Sequence, residues 1–209
     1  MQKTKIIATL GPSCNKRETV HQMLIDGLDV MRINMSHTQD LPQLKKQIHM
    51  IRAEAKKLNY NISIIMDLGG PKIRVKLDKL VTSTHIIEGI KYTLGYKNCD
   101  ININKQLSFK DFQKNALIKI NDGTINFSIH KIKDDKLILN ALNDGIITNH
   151  KGVNFPGTFL NMPAVTKADK QNILHAIDLE VDWIAQSFVR SANNILPIKR
   201  ILKTHKFHV

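Results

Sequence analysis

The 209-residue sequence has only two cysteines, Cys14 and Cys99, few aromatic residues and no long hydrophobic run. Two thiols cannot form the disulfide framework of a small secreted protein, so we expect a cytoplasmic location with reduced thiols. No apolar run approaches about 18 residues, and the sequence therefore predicts no membrane-spanning helix. Because aromatic residues make up 5% of the chain, isoleucine, leucine and valine must supply most of the core.

The chain is strongly basic, with a formal net charge of +13 at pH 7. Such a charge is typical of proteins that bind phosphorylated metabolites or nucleic acid, and equally of a lysine-rich surface with no dedicated ligand. Nucleic-acid-binding surfaces often combine dense lysine and arginine with interleaved aromatic residues, and this sequence has no such block. We therefore expect no nucleic-acid partner and attribute most of the charge to the solvated surface.

The first part of the chain alternates short apolar runs with amphipathic segments, which predicts a β-α-β-α-β order. Asn15, in a capping box with Glu18, and Asp40 are the predicted helix caps. Nearly continuous apolar strands are typical of a parallel sheet that is covered by helices. The three predicted strands are Lys5–Leu10, Val30–Asn34 and Ile62–Met66.

The pattern changes after Gly69-Gly70-Pro71. Residues 72–150 show no helical period of useful length and instead contain short alternating runs separated by turns. Asp122-Gly123 marks a hairpin turn. This segment predicts a small all-β insertion, either a barrel or a sandwich. The α/β alternation then returns, with a helix at 167–179 and a fourth strand at 182–189.

Polar side chains follow the second and third predicted strands. Arg32, Asn34, Ser36 and His37 belong to the segment VMRINMSH, and Asp67 ends the next strand. The carboxyl ends of parallel strands carry ligand sites. An arginine there suits a phosphate or carboxylate, whereas the oxygens of Asn34, Ser36 and Asp67 suit a cation, and the combination is typical of phosphoryl transfer. The alternative is an ion pair between Arg32 and Asp67 that only braces the two strand ends.

Six segments, in this order, resemble the pyruvate kinase family: TKIIATLGPS, VMRINMSH, DLGGPKIR, KGVNFPG, MPAVTKADK and DWIAQSFVR. The resemblance spans nearly the whole chain. It implies an α/β fold, a partial (β/α)8 TIM barrel of about four βα units interrupted by an inserted all-β B domain. The implied domains are a partial barrel formed by 1–71 and 151–209 and a B domain formed by 72–150.

The resemblance also implies a cytoplasmic, homo-oligomeric enzyme of glycolysis that transfers phosphate from phosphoenolpyruvate to ADP with K⁺ and Mg²⁺. Arg32 would be the catalytic residue that binds the transferred phosphate. Potassium would be held by oxygens of Asn34, Ser36, Asp67 and the backbone carbonyl of Leu68. The nucleotide would be bound by three basic side chains, His37, Arg74 and Lys151.

The sequence departs from the family in two respects. Leu68, Gly69 and Lys72 differ from the common form D-T-K-G-P-E-I-R. The I-S-K-I-E and G-D-L-G segments, which carry the family's phosphate-stabilising lysine and both magnesium carboxylates, do not occur in the 209 residues. We therefore expect a truncated pyruvate kinase-like phosphotransferase without magnesium ligands. The alternative is a non-catalytic phosphate- or nucleotide-binding remnant, or one half of a split enzyme.

Two further expectations concern the fourth strand. Ser187 lies near its end, where the hydroxyl either faces the site or is buried and bonded to backbone. A sheet of four strands also has two exposed edges, which favours self-association.

Overall fold

The structure is a computed structural model that describes residues 4–36, 40–78, 81–133 and 135–205. The chain divides into two compact units, of which the first comprises Met1–Pro71 with Pro163–Val209 and the second comprises Lys72–Met162. Buried apolar clusters lie within each unit. No described helix is both long enough and apolar enough to cross a membrane.

The secondary structure of the described residues follows the chain order. The strands are β1 (Ile7–Thr9), β2 (Val30–Asn34), β3 (Ser63–Asp67), β4 (Ser83–Ile86), β5 (Lys91–Gly95), β6 (Ile101–Asn102), β7 (Leu117–Ile120), β8 (Ile125–Ile132), β9 (Lys136–Ala141), β10 (Gly145–Thr148), β11 (Val153–Asn154) and β12 (Trp183–Ala185). The helices are α1 (Arg17–Ile25), α2 (Leu41–Lys57), α3 (Lys167–Asp178) and α4 (Leu196–Thr204), with a short 3₁₀ helix at Ala192–Asn194.

The first unit is built on a four-stranded parallel sheet in the order β1-β2-β3-β12. Helices α1 and α2 connect its first three strands, and α3 precedes the fourth. This is the α/β arrangement with four strands that the alternating pattern predicts. Thr9 lies opposite Arg32, and Asn34 lies opposite Asp67, so the register aligns the polar ends of neighbouring strands.

The two inner strands of this sheet, β2 and β3, are fully buried on one face and only partly buried on the other. Alternate residues of β2 and β3 join the core formed with α1 and α2, whereas Arg32, Asn34 and Asp67, at the intervening positions, are only half-buried. The buried positions are Met31, Ile33, Ile64 and Met66. The nearly continuous apolar runs favoured a parallel sheet covered by helices. In β2 and β3, buried and half-buried positions alternate with period two, which leaves one face for the polar side chains.

The helix caps agree with the sequence at one of two places. The Asp40 carboxylate accepts from the Gln43 backbone N–H at 3.1 Å and caps α2, as predicted. The predicted capping box of Asn15 is wrong. The N-cap of α1 is Lys16, whose backbone is still extended and whose side chain makes no capping bond, so the helix starts one residue later than a cap at Asn15 requires.

The second unit is all-β in its described residues. It contains a six-stranded sheet in the order β11-β7-β8-β9-β5-β6 and a two-stranded sheet of β4 and β10. The predicted turn at Asp122-Gly123 joins β7 to β8, with both residues at positive φ. Leu160 and Met162 pack against the core of this unit, so it continues beyond residue 150. The division into a barrel domain and a B domain stays a prediction.

Glu54 is a buried carboxylate on α2, with 2% of its surface exposed. Three basic side chains surround it: Lys57 Nζ at 2.8 Å, His21 Nδ1 at 3.1 Å and the Arg17 guanidinium. The hydrogen bond from Lys57 contributes most to lowering the pKa of Glu54 from 4.5 to about 2; the bonds from His21 and Arg17 act in the same direction, and burial opposes them. Because Arg17 and His21 belong to α1, the ionised carboxylate ties α1 to α2.

The stability of the first unit should therefore depend on the ionisation of Glu54. A pKa that is lowered in the folded state means that the stabilisation is present above pH 4.5 and is lost as the pH falls towards 2. Glu54→Gln, which keeps the shape and removes the charge, should lower the Tm by several degrees near neutral pH. Circular dichroism melts should show the difference from wild type shrinking as the pH is lowered.

The control is Glu88→Gln, because Glu88 is an exposed glutamate of the second unit. This variant should melt like the wild type throughout. A difference between wild type and Glu54→Gln that stays constant from neutral pH to about pH 2 would contradict the role of the charge.

Candidate functional site

The carboxyl ends of β2 and β3 bring together the side chains that the sequence singles out. Asn34 and Asp67 are opposite each other, and Arg32 lies two residues earlier on β2. The Arg32 guanidinium forms an ion pair with Asp67 Oδ2, through Nη2 and through Nε at 3.1 Å. The bracing ion pair, one of the two roles considered for Arg32, is therefore present.

Arg32 also contacts the strand on its other side. Its Nη1 donates to Thr9 Oγ1 at 2.9 Å. A guanidinium has five N–H donors, and the described contacts with Thr9 and Asp67 use three of them. The other two N–H donors are not used in these contacts, and 35% of the Arg32 side chain is exposed. The guanidinium is therefore accessible to an anion.

Oxygen atoms of several kinds lie at the same strand ends. Asn34 Oδ1 accepts from the Ser36 backbone N–H at 3.0 Å, which holds the turn after β2. The Leu68 N–H donates to the Ala185 carbonyl at 2.9 Å, which holds the segment after β3 against β12. We call the oxygens of Asn34, Ser36 and Asp67, with the backbone carbonyl of Leu68, the oxygen cluster. Amide, hydroxyl, carboxylate and carbonyl oxygens are the ligands that hard cations prefer.

Ser187 follows β12, and its hydroxyl donates to Asp67 Oδ1 at 3.2 Å. Of the two roles that the sequence left open for Ser187, this contact favours the one at the site, since the partner is a carboxylate and not backbone. The two oxygens of Asp67 thus contact different parts of the unit: Oδ2 accepts from Arg32 on β2, and Oδ1 accepts from Ser187, two residues after β12.

Asp169 is a neighbour of the site that the sequence reading missed. Its carboxylate is 2% exposed, and Oδ1 accepts from the Gly70 backbone N–H at 3.2 Å. Oδ2 accepts from the N–H and the hydroxyl of Thr166, which completes a capping box at the start of α3. The T-x-x-D spacing could have identified the capping box. No local pattern could have identified the bond to Gly70, because the two residues lie 99 positions apart.

Arg74 and Lys151 lie on adjacent segments within the second unit. Arg74 pairs with Gly152 in an antiparallel bridge, and its Nη1 donates to the His150 carbonyl at 2.7 Å. Two of the three predicted nucleotide-binding residues, Arg74 and Lys151, therefore lie near each other in the second unit. The third, His37, lies outside the described residues.

The described residues offer little to a carboxylate-bound metal ion. Within them, no group of three or more His, Cys, Asp or Glu side chains is placed to hold a metal. The oxygen cluster differs in kind, because it combines one carboxylate with neutral oxygens. Such a set suits a weakly charged, oxygen-seeking cation better than Mg²⁺, which demands octahedral geometry and keeps several waters.

Comparison with known proteins agrees with this geometry. The family model described as "Pyruvate kinase, barrel domain" matches residues 1–209. The chain is 33% identical to a pyruvate kinase of Staphylococcus epidermidis over 226 aligned residues and 30% identical to one of Clostridium perfringens over 211. These alignments include 100% and 98% of this chain, but only 37% and 44% of the respective relatives. The chain therefore spans less than half the length of the relatives it matches.

A solved structure gives the same result. The crystal structure of a pyruvate kinase from Cryptosporidium parvum aligns with a TM-score of 0.87 and 28% sequence identity. The alignment includes 97% of this chain and 42% of that one. The α/β fold with part of a barrel sheet, expected from the six segments, is confirmed. Because the family model matches the whole length of this chain, the chain belongs to the pyruvate kinase family.

Proposed function

We propose that this chain forms the phosphate-anchoring and potassium-binding part of a site that transfers phosphate from phosphoenolpyruvate to ADP. The observation that carries the proposal is the joining of Arg32 to the oxygen cluster through Asp67. A cation-binding group of oxygens and an anion-binding guanidinium then lie side by side. Charge neutralisation of that kind stabilises a phosphoryl group during transfer.

Arg32 is the proposed catalytic residue. Its guanidinium is oriented by Asp67 and Thr9, so it loses little conformational freedom when it binds the phosphate. The remaining N–H donors bind phosphate oxygens and orient the group that is transferred. The ion pair with Asp67 and the role of phosphate anchor are therefore compatible.

Potassium is the proposed cation of the oxygen cluster, and the residues fit it. Each sp² oxygen can accept more than one contact, so a cation can bind Asp67 Oδ1 and Asn34 Oδ1 without breaking the bonds from Ser187 and the Ser36 N–H. When bound, the ion adds positive charge beside the phosphate. The chain's own contribution is to hold those oxygens at fixed strand ends.

Nucleotide binding is proposed for His37, Arg74 and Lys151, whose positive or polar side chains suit the phosphates of ADP. Magnesium does not fit the described residues, because its carboxylate ligands in the family belong to segments that are absent from this sequence. No step through magnesium is therefore derived for this chain. A homo-oligomeric assembly and a cytoplasmic location also stay predictions.

The second candidate is a non-catalytic phosphate- or nucleotide-binding remnant, or one half of a split enzyme. It applies to a chain of these 209 residues alone, which contain neither I-S-K-I-E nor G-D-L-G. Both candidates keep the same anion site, and they differ only in turnover.

Replacing Arg32 tests the anion site. Loss of a charge-assisted phosphate contact costs about 1.5–3 kcal/mol, so Arg32→Ala should bind phosphoenolpyruvate about 10- to 150-fold more weakly. Arg32→Lys, which keeps the charge but not the two-pronged donor geometry, should lie between this variant and the wild type. Isothermal titration of the 209-residue chain with phosphoenolpyruvate in potassium buffer measures all three affinities.

The matched control is Arg52→Ala, which also removes one arginine. Arg52 lies on α2 and donates to the backbone carbonyls of Leu179 and Glu180. Its replacement should leave the affinity unchanged. Equal affinities for wild type and a folded Arg32→Ala would show that Arg32 is only a structural ion-pair partner.

A further inference from the structure

We infer that Asp169 is a positioning residue of the oxygen cluster, acting through the loop that follows β3. This inference rests on the proposed function, because it concerns the same potassium site. The loop, Leu68-Gly69-Gly70, supplies one backbone carbonyl of the cluster. Asp169 does not belong to the cluster, and its carboxylate instead holds this loop from α3.

The loop passes between Asp169 and Ser36. A Cβ atom added at Gly69 would lie 3.3 Å from Ser36 Oγ and 3.9 Å from Asp169 Oδ1. A residue without a side chain therefore allows the hydroxyl of the oxygen cluster and the buried carboxylate to approach the same stretch of backbone. A displacement of Gly69 would change the position of the Leu68 carbonyl and the surroundings of Ser36 together.

Two glycines in succession give the loop unusual backbone freedom, since glycine lacks the Cβ that restricts φ and ψ. Three contacts of the loop are seen among the described residues of the first unit. The Leu68 N–H donates to the Ala185 carbonyl, the Leu68 side chain packs into a small buried cluster with α3 and α4, and the Gly70 N–H donates to Asp169. The first two contacts fix the start of the loop, and the third fixes its end.

Asp169 can fix the end of the loop because it is itself held firmly. It is buried, its Oδ2 bonds twice to Thr166, and its own N–H donates back to the Thr166 hydroxyl at 3.0 Å. A carboxylate has two acceptor oxygens, and here one serves the helix and the other serves the loop. The start of α3 therefore sets the position of a backbone segment at the proposed cation site.

The test compares Asp169→Asn with Thr166→Val in the 209-residue chain. Asparagine has one acceptor oxygen, so either the Gly70 or the Thr166 N–H must face an amide donor. Valine at 166 weakens the same capping box but leaves the bond to Gly70 intact. Both variants should lower the Tm, and that effect reports only on the helix cap.

Binding of Tl⁺, a spectroscopic substitute for K⁺, distinguishes the two roles. Loss of an outer-shell partner usually weakens metal binding about 10- to 100-fold, and we expect a loss of this size for Asp169→Asn. Thr166→Val should keep the wild-type affinity. Titration followed by ²⁰⁵Tl NMR gives each affinity. Amide hydrogen exchange should also speed up at residues 68–70 in Asp169→Asn and not in Thr166→Val.

Two results would overturn the inference, and they are distinguishable. If the wild type binds Tl⁺ and a folded Asp169→Asn binds it equally well, Asp169 is only a helix cap, and the proposed function stands. If the wild type binds no Tl⁺, the potassium part of the proposed function fails together with this inference. If Asp169→Asn does not fold, hydrogen exchange in the wild type provides the test. Exchange of the Gly70 amide should slow when the wild type is saturated with Tl⁺. Unchanged exchange would refute the coupling between this loop and the cation site.

Discussion

The purified 209-residue chain, supplied with phosphoenolpyruvate, ADP, Mg²⁺ and K⁺, should show no turnover at an enzyme's rate. In the transition state, the phosphoryl group spreads negative charge over its oxygens, and catalysis consists mainly of positioning and charge stabilisation. Arg32 and the oxygen cluster can hold the phosphate. The family's lysine and two magnesium carboxylates lie in segments that this sequence does not contain. Removal of one preorganised group typically lowers the rate about a hundredfold to a thousandfold, and three are missing.

The measurement is a coupled assay in which lactate dehydrogenase converts pyruvate while NADH absorbance falls. The control for a contaminating enzyme is Arg32→Ala, purified in the same way. Robust turnover by the wild-type chain that disappears in this variant would show that 209 residues suffice for catalysis. The remnant and split-enzyme alternatives would then both be wrong.

Gly70→Ala should destabilise the first unit strongly. Gly70 has φ +65°, and an added Cβ would lie 2.6 Å from Cδ2 of Phe188 and 3.4 Å from Cβ of Ser187. An unfavourable backbone conformation and an overpacked contact each cost about 1–3 kcal/mol. At about 2–4 °C per kcal/mol for a chain of this size, the Tm should fall by roughly 4–24 °C.

Gly27→Ala separates the two causes. Gly27 also has a positive φ, +96°, but an added Cβ there meets nothing within 4 Å. Its replacement therefore measures the backbone cost alone, and the excess in Gly70→Ala measures the contact with Phe188. A Tm for Gly70→Ala equal to that of Gly27→Ala would mean that Phe188 moves aside at no cost. Gly11→Ala, with ordinary φ and open space, should melt like the wild type.

The sequence predicts those parts of the fold that depend on local periodicity. The strand at Val30–Asn34 and the cap at Asp40 could be identified because their signals lie within a few residues of the structures they form. The same holds for the position of Arg32 and Asp67 at strand ends, since a strand that ends in polar residues shows this directly. The β insertion could be recognised because alternation with period two replaces the helical period.

Contacts between distant segments were beyond a single sequence. The Gly70–Asp169 bond and the Ser187–Asp67 bond join residues separated by 99 and 120 positions. Nothing near either residue indicates its partner. The choice between an ion pair and an anion site for Arg32 was also undecidable from the sequence, because both use the same guanidinium. The structure shows the ion pair, and the described contacts with Asp67 and Thr9 use three of the five guanidinium donors.

The order of the parallel sheet has a consequence for symmetry. Strands β1 and β12 are its two outer members in the described chain, and their residues Ile7 and Trp183 are largely exposed. If the parallel pattern continues from one copy of the chain to the next, β12 of one copy pairs with β1 of the other. These are two different surfaces, so the contact is heterologous. Such contacts either close into a ring or extend without limit. Two copies of four strands would supply the eight of a complete barrel, so the angle between copies, and not the strength of pairing, decides between a closed dimer and a fibre.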